Sequence, residues 1–148
     1  MIALIQRVKR GKVTVEEEIY SEIGQGYVIF LGIYQGDTEK EVEKLAEKIT
    51  NLRIMSDTAG KMNLSILDVK GNILVVSQFT LTADLTFGRR PSFIKAKEPK
   101  EAEKLYSLFV EKLKNKGVPV KTGKFGEMMD VEILNSGPVT IIIDTKNL

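Results

Sequence analysis

The sequence of 148 residues contains no cysteine and no histidine. Without thiols the chain has neither disulfides nor a cysteine nucleophile. Without imidazoles, Ser-His-Asp and Cys-His catalytic arrangements are excluded, and so are ordinary zinc sites. No cluster of Asp and Glu has the spacing of a hard-ion site. Any reaction catalysed here must need little from side-chain acids and bases, and we expect no metal and no cofactor.

Tryptophan and long apolar runs are also missing. The longest apolar run, around 27–34, is well short of the roughly 20 residues that span a membrane. The stretch 1–5 is too short for the core of a signal peptide, and no basic region precedes it. The composition, with 28% charged residues, is that of a soluble globular protein. We therefore expect one domain over residues 1–148, a cytoplasmic location and no membrane partner.

Charge is unevenly distributed along a chain whose net charge is only +2. The segment 89–124 has eleven Lys and Arg against four Asp and Glu and carries +7, whereas the remainder carries −5. Such a segment is typical of a surface that faces a polyanion such as RNA. The alternative is a lysine-rich solvated helix face. The charges alone do not separate these two interpretations.

Hydrophobic periodicity predicts many strands and two helices. Strands are predicted over 2–8, 13–15, 19–20, 26–34, 53–55, 72–81, 118–120, 128–134 and 139–143. One helix begins at Thr38, which forms a capping box with Glu41. The second has Pro99 in its first turn and ends at Gly117. Residues 82–97 have little periodicity and predict a long, ordered loop, which in compact domains is often functional. The fold class is α/β or α+β: a mixed, mostly antiparallel, barrel-like sheet covered by two main helices.

A polar cluster interrupts an apolar strand in the middle of the chain. Residues 73–76 are all apolar, and Ser77, Gln78 and Thr80 then place two hydroxyls and an amide around Phe79. Such a break in a buried pattern is typical of functional or strained sites. The simpler interpretation is a strand that runs out to the surface, with Ser and Thr present for their β propensity.

Two short motifs carry a resemblance to a known family. One is Ser77-Gln78-Phe79-Thr80, and the other is Gly137-Pro138-Val139-Thr140 near the C-terminus. Together they resemble the signatures of the D-aminoacyl-tRNA deacylase family. Three further segments resemble the family in the same order along the chain: Met1–Val8, Lys61–Leu64 and Arg90–Phe93. The resemblance covers essentially the whole chain.

The resemblance implies the sheet-rich fold of that family, a homodimer, and an enzyme that hydrolyses the ester between a D-amino acid and tRNA. A glycyl ester is expected to be accepted too, because glycine has no side chain in either the D or the L position. The reaction suits a chain without His or Cys, because the α-ammonium group already activates the ester. Oriented backbone N–H groups add roughly 3–4 kcal/mol per donor at the oxyanion. The expected partners are the acceptor end of aminoacyl-tRNA and a second copy of the chain, and not DNA.

The resemblance also implies roles for residues of the first motif. The backbone at Phe79 and Thr80 is expected beside the scissile carbonyl as the oxyanion site. Thr80 is expected to orient water or substrate while the terminal 2′-hydroxyl of the tRNA assists, with Ser77 and Gln78 in support. Thr80 as a nucleophile stays an alternative, although nothing in the sequence is evident as the base that its hydroxyl would need.

The second motif is expected to supply the chirality filter. Gly137 and Pro138 are predicted to have a cis peptide bond and to enter the pocket of a second copy, where rigid backbone rejects the L form by clash. Glycine permits close approach to the ligand. The resemblance places Met129 and Arg7 near the pocket, with Arg7 bracing the Gly-Pro turn. Otherwise Met129 is core filler and Arg7 a surface strand residue.

Two other functions stay open. The first is an editing relative that acts on a different mischarged tRNA. The second is a non-catalytic, dimeric RNA-binding module, which the basic segment 89–124 alone would suit. A low aromatic content without Trp is unfavourable for stacking on single strands. Turnover of D-tyrosyl-tRNA separates the three hypotheses.

Overall fold

A long first strand organises the sheet. In the computed structural model, which describes residues 1–148, β1 (Ile2–Val15) pairs antiparallel with β2 (Glu18–Ile23), β3 (Gly26–Gly32) and β8 (Asp130–Asp144). The two strands predicted over 2–8 and 13–15 are one, because pairing with β8 continues between them. The strands predicted over 13–15 and 19–20 pair with each other as a hairpin, in the antiparallel pairing of β1 with β2.

The other half of the sheet is parallel. Beside β3 lies β6 (Asn72–Ser77), and beside β6 lies β7 (Val120–Thr122), both in parallel pairing. The order is β2-β1-β3-β6-β7, with β8 on β1. The Ser21 hydroxyl donates a 2.7 Å hydrogen bond to the Thr122 carbonyl, so the first and last strands of this order meet. The sheet is therefore mixed and nearly closed like a barrel, which confirms the predicted fold class.

Two helices cover one side of the sheet. They are α1 (Glu39–Asn51) and α2 (Pro99–Asn115), and a small separate sheet pairs β4 (Met55–Ser56) with β5 (Met62–Leu64). Pro99 occupies the first turn of α2, as predicted. No helix in the structure combines the length and apolar character needed to cross a membrane.

Two apolar cores lie on the two faces of the sheet. The larger, of 23 buried residues, fills the space between sheet and helices, and the smaller, of six, lies within the curve of the sheet. Strand β3 contributes to both, which explains its continuous apolar sequence. From α2, the buried Tyr106 hydroxyl donates a 2.7 Å hydrogen bond to the Val75 carbonyl in β6. Burial raises the pKa of Tyr106, so the donor stays protonated.

The predicted strand over 72–81 is wrong at its end. Strand β6 stops at Ser77, and a 3-10 turn follows at Phe79–Thr82. The cause is the end of its neighbour, since β3 stops at Gly32. The Gln78 N–H still donates to the Leu31 carbonyl at 2.8 Å, and beyond it no strand is available for pairing.

The predicted turn between two final strands is also wrong. Strand β8 runs unbroken through Gly137 and Pro138, because the chain pairs with β1 on both sides of them. The register shifts between Gln6 and Val8, and again between Val8 and Arg10, so the strand contains an irregularity at this point. The Gly137–Pro138 bond is cis, as the resemblance implied.

The capping box of α1 is confirmed, and it offers a stability test. The Thr38 N–H donates to the Glu41 carboxylate at 2.7 Å, and the Lys40 N–H donates to the Thr38 hydroxyl at 3.3 Å. Thr38→Ala is expected to reduce the free energy of unfolding by about 1 kcal/mol. Urea denaturation measures it, with Thr58→Ala in an exposed turn as the control expected to stay within about 0.5 kcal/mol. An equal loss in both variants would contradict the capping argument.

Candidate active site

The 3-10 turn after β6 presents two free backbone donors. In such a turn each N–H bonds the carbonyl three residues earlier, so the first residues have no partner within it. Leu81 donates to Gln78 and Ala83 donates to Thr80. The N–H groups of Phe79 and Thr80 find no acceptor elsewhere in the protein. Two adjacent unpaired donors are the arrangement that an oxyanion site requires.

Close packing holds this turn against the end of β3. A Cβ placed on Gly32 would lie 3.0 Å from the Leu81 Cβ and 3.2 Å from the Gln78 carbonyl oxygen. Any larger residue at position 32 would push the turn away, so glycine is required by contact. The Thr82 hydroxyl closes the turn by donating to the Phe79 carbonyl at 2.7 Å. The free N–H groups are therefore fixed in direction.

The polar side chains at the turn include no base. The Gln78 amide donates to the Thr80 hydroxyl, which is exposed. An amide N–H donor cannot remove the proton of that hydroxyl. Ser77 and Gln78 are half-buried beside it, which agrees with a supporting position. The structure brings no group of three or more Asp, Glu, His or Cys together.

Beside the turn lies a cavity of about 660 Å³ with mostly apolar walls. Ser77, Gln78 and Phe79 line it, and so does Met129. The other walls come from the start of α2, from the loop before it and from the segment before β8, and include Phe93, Ala96, Lys97, Glu98, Phe125 and Met128. A cavity of this size accommodates a small organic group such as an amino acid or a nucleoside.

The loop 83–97 is anchored at both ends of its exposed part. Asp84 and Ser92 exchange backbone hydrogen bonds of 2.8 and 3.0 Å. The Asp84 carboxylate accepts from the Thr86 N–H at 2.9 Å and pairs with Lys95 at 3.1 Å. Hydrogen bonds from Thr86 and Lys95 lower the pKa of Asp84 to about 2. Phe93 then meets Phe79 edge to face, with ring centroids 5.0 Å apart, so the loop is attached directly to the turn.

A second group of residues surrounds Gly137 on β8. The Arg7 guanidinium donates to the Ser136 carbonyl at 3.0 Å and to the Ile54 carbonyl at 2.8 Å. Arg7 thus braces the segment before Gly137, as the resemblance implied. Gly137 has φ +126°, a conformation that favours glycine, and Gly137 and Pro138 are both exposed.

The two groups are separated within one chain. Ile2 lies opposite Gly32 near the turn, whereas Arg7 lies opposite Tyr27, five residues along the strand and about 17 Å away at 3.3–3.4 Å per residue. The structure brings Ser77, Gln78, Phe79 and Met129 to one cavity, and it places Arg7, Gly137 and Pro138 elsewhere on the protomer.

Comparison with known proteins decides the family. A family model described as D-Tyr-tRNA(Tyr) deacylase matches residues 4–144. The chain belongs to the D-aminoacyl-tRNA deacylase family. This deacylase is 55% identical over 148 residues to a D-aminoacyl-tRNA deacylase of Aquifex aeolicus, with 100% of both chains covered. It is 56% identical over 146 residues to that of Thermodesulfovibrio yellowstonii, which covers 99% of this chain and 100% of the relative. It is an ester hydrolase acting on D-aminoacyl-tRNA.

Solved structures share the fold of this deacylase. One, described as the c-Myc DNA Unwinding Element Binding Protein, has a TM-score of 0.93 and 44% identity, and the match covers 97% of this chain and 98% of that one. Another, described as a probable eukaryotic D-amino acid tRNA deacylase, has a TM-score of 0.84 and 15% identity, and the match covers 96% and 97%. The second likeness shows the fold alone.

The sequence assigned no role to several residues that line the cavity of this deacylase. Phe93 stood in a segment that resembled the family, but its contact with Phe79 depends on how the loop folds back. Phe125 lies between glycines at 123 and 126, which predict a turn. A turn residue is not expected to line a cavity, and the sequence therefore did not indicate this role. Lys97 was counted only as part of the basic segment.

Proposed function

We propose that this deacylase stabilises the oxyanion of the tetrahedral intermediate with the backbone N–H groups of Phe79 and Thr80. The observation that carries the proposal is that both donors are fixed, adjacent and without an acceptor, and that Phe79 lines the cavity. Each such donor contributes about 3–4 kcal/mol when aimed at a developing oxyanion. Water, oriented by the site and assisted by the 2′-hydroxyl of the tRNA, is the nucleophile. Thr80 orients and does not attack, since its hydroxyl contacts an amide donor and no base.

The chirality filter is proposed to be Gly137 and Pro138 of a second copy, inserted beside Phe79 and Thr80. Three observations support this. The pair is exposed, Arg7 holds the adjacent carbonyl, and the pair lies far from the turn of its own chain. A homodimer would bring the two groups together, so that each pocket would use residues of both copies. Backbone carbonyls at this position would accept the α-ammonium hydrogens of a D or glycyl ester and exclude an L side chain.

The experiment that tests this function is a deacylation assay with matched D-tyrosyl-, L-tyrosyl- and glycyl-tRNA. Hydrolysis of the D and glycyl esters, with the L ester spared, is expected. Equal hydrolysis of D and L esters would contradict the proposed chirality filter. Turnover of another mischarged tRNA alone would favour the editing relative, and binding without turnover would favour the RNA-binding module. Because the substrate is charged tRNA, we propose the cytoplasm as the location.

Binding of tRNA is proposed to be electrostatic and largely independent of sequence. Four of the eleven cations in the segment 89–124 are held in ion pairs within the protein, namely Lys95, Lys104, Lys112 and Lys116. The others, including Arg89 and Arg90, are available to phosphates. DNA is proposed not to be a physiological partner, although a relative at 44% identity is described as binding a DNA element.

The salt dependence of tRNA affinity tests this proposal. Each neutralised phosphate is expected to add about 0.9 to the slope of log K against log salt for a duplex and about 0.7 for a single strand. Fluorescence anisotropy with labelled tRNA and a DNA duplex of matched length measures both affinities. A flat dependence would exclude the basic segment from binding, and tighter binding to DNA would contradict the preference for RNA.

A further inference from the structure

The tip of the loop beside the cavity exposes two large apolar side chains next to two arginines. We call residues 85–91 the rim loop. Leu85 is 73% exposed and Phe87 is 85% exposed, and the two residues are separated by only one residue in the loop. Arg89 and Arg90 are also exposed, and neither is in an ion pair. Neighbouring exposed apolar groups bordered by charged residues are the kind of surface that marks interaction sites.

The residues that flank the rim loop hold it beside the 3-10 turn at Phe79–Thr82. Asp84 and Ser92, the residues flanking it, exchange two backbone hydrogen bonds. The next residue, Phe93, contacts Phe79 at 5.0 Å between ring centroids. A substrate bound at the turn would therefore extend from the cavity past the rim loop. The loop is close to the site but contributes no residue to the cavity walls, since the lining resumes only at Phe93.

We propose that the rim loop binds the single-stranded 3′ end of the tRNA substrate, with Phe87 stacking on a base and Arg89 and Arg90 contacting phosphates. This inference rests on the proposed function, which places the terminal ester at Phe79 and Thr80. The nucleotides that precede this ester are unpaired, so their base faces are open. An exposed aromatic ring together with free guanidinium groups is the combination that binds such strands.

Charge argues against the rim loop of a second copy as the occupant. Within residues 84–92 the only carboxylate is that of Asp84, and Thr86 and Lys95 already occupy it. Two rim loops facing each other across a two-fold axis would bring four unpaired arginines together, which is repulsive. Phosphates satisfy the same arginines. The low aromatic content of the sequence does not weaken this argument, because the ring of Phe87 is 85% exposed to solvent.

The test compares three substrates of increasing length: D-tyrosyl-adenosine, D-tyrosyl-CCA trinucleotide and D-tyrosyl-tRNA. For Phe87→Ala we expect kcat/KM on the trinucleotide and on tRNA to fall at least about fivefold further than on the adenosine ester. For Arg89→Gln with Arg90→Gln, the salt slope of trinucleotide binding is expected to decrease by about 1.4, corresponding to two single-strand phosphates. Matched controls are Ile19→Ala, an exposed apolar residue on β2, and Lys40→Gln with Lys44→Gln on α1.

Each other outcome overturns the proposal in a recognisable way. Equal losses on all three substrates would show that the loop acts only through the turn. A loss on tRNA but not on the trinucleotide would place the contact on the duplex. A change in molecular mass on Phe87→Ala, measured by sedimentation, would assign the ring to a contact between copies. Failure of the wild-type protein on D-tyrosyl-tRNA itself would instead contradict the proposed function. Anisotropy with uncharged CCA-ended RNA then tests the rim loop independently, and unchanged affinity in the variants would reject it.

Discussion

Replacing Phe79 by proline is expected to lower kcat for D-tyrosyl-tRNA hydrolysis by about 10²–10³-fold relative to Phe79→Ala, because proline removes one oxyanion donor. Position 79 tolerates proline as a first helical residue, where the missing N–H breaks no internal hydrogen bond. The preceding Gln78 has φ −143° and ψ 79°, outside the helical region that a following proline disfavours. Alanine keeps the N–H and removes only the ring, which makes it the matched control.

Single-turnover deacylation measures this difference, and circular dichroism checks that both variants are folded. Equal rates for folded Phe79→Pro and Phe79→Ala would contradict a role for the Phe79 N–H. Thr80→Ala completes the set and is expected to leave measurable activity, since the backbone N–H of residue 80 remains. Complete loss in Thr80→Ala, with fold and substrate binding intact, would favour Thr80 as the nucleophile.

The motif Ser77-Gln78-Phe79-Thr80 shows which part of the candidate site could be predicted from the sequence. The polar interruption at Ser77, Gln78 and Thr80 coincides with the 3-10 turn beside the cavity, in agreement with the rule that a buried apolar strand does not lose its pattern without a cause. The sequence did not predict the 3-10 turn. That turn depends on β3 ending at Gly32, 47 residues before Phe79, and the local propensities of these residues do not report the pairing. The free N–H groups follow from the turn and so were inferred only from the family resemblance.

The second motif shows a different limit. Gly-Pro between two apolar runs predicts a turn by local rules. In the structure the segment stays in β8, because Val8, Arg10 and the residues around them on β1 provide a partner on both sides. Long-range pairing therefore overrides the local signal. The charge count had a similar limit, since the sequence gives the eleven cations but not which of them α1 pairs through Glu43 and Glu47.

Gly137→Ala is expected to lower kcat/KM for D-tyrosyl-tRNA by about 10²-fold, because displacement of a positioning element by about 1 Å costs this much. A Cβ at this residue would lie 3.0 Å from the Arg7 Nη2 and 3.0 Å from the Val139 Cγ2. The φ of +126° also disfavours any residue with a Cβ. Backbone and Arg7 must therefore shift together, and the ratio of D- to L-tyrosyl-tRNA hydrolysis is expected to fall. Gly60→Ala, with φ +76° and open space around it, is the matched control and is expected to keep wild-type kcat/KM.

Mixing two inactive variants tests whether Gly137 acts across a dimer. In a heterodimer of Phe79→Pro and Gly137→Ala, the subunit with Gly137→Ala keeps its own oxyanion donors and would receive an intact Gly137–Pro138 from its partner. If subunits exchange randomly at equal concentrations, about a quarter of all sites are then complete, so about a quarter of wild-type activity is expected. If Gly137 instead served Phe79 of its own chain, no site in the mixture would be complete. Activity of the mixture no higher than the mean of the two variants, after exchange is verified by mass spectrometry, would therefore reject a filter that works in a second copy.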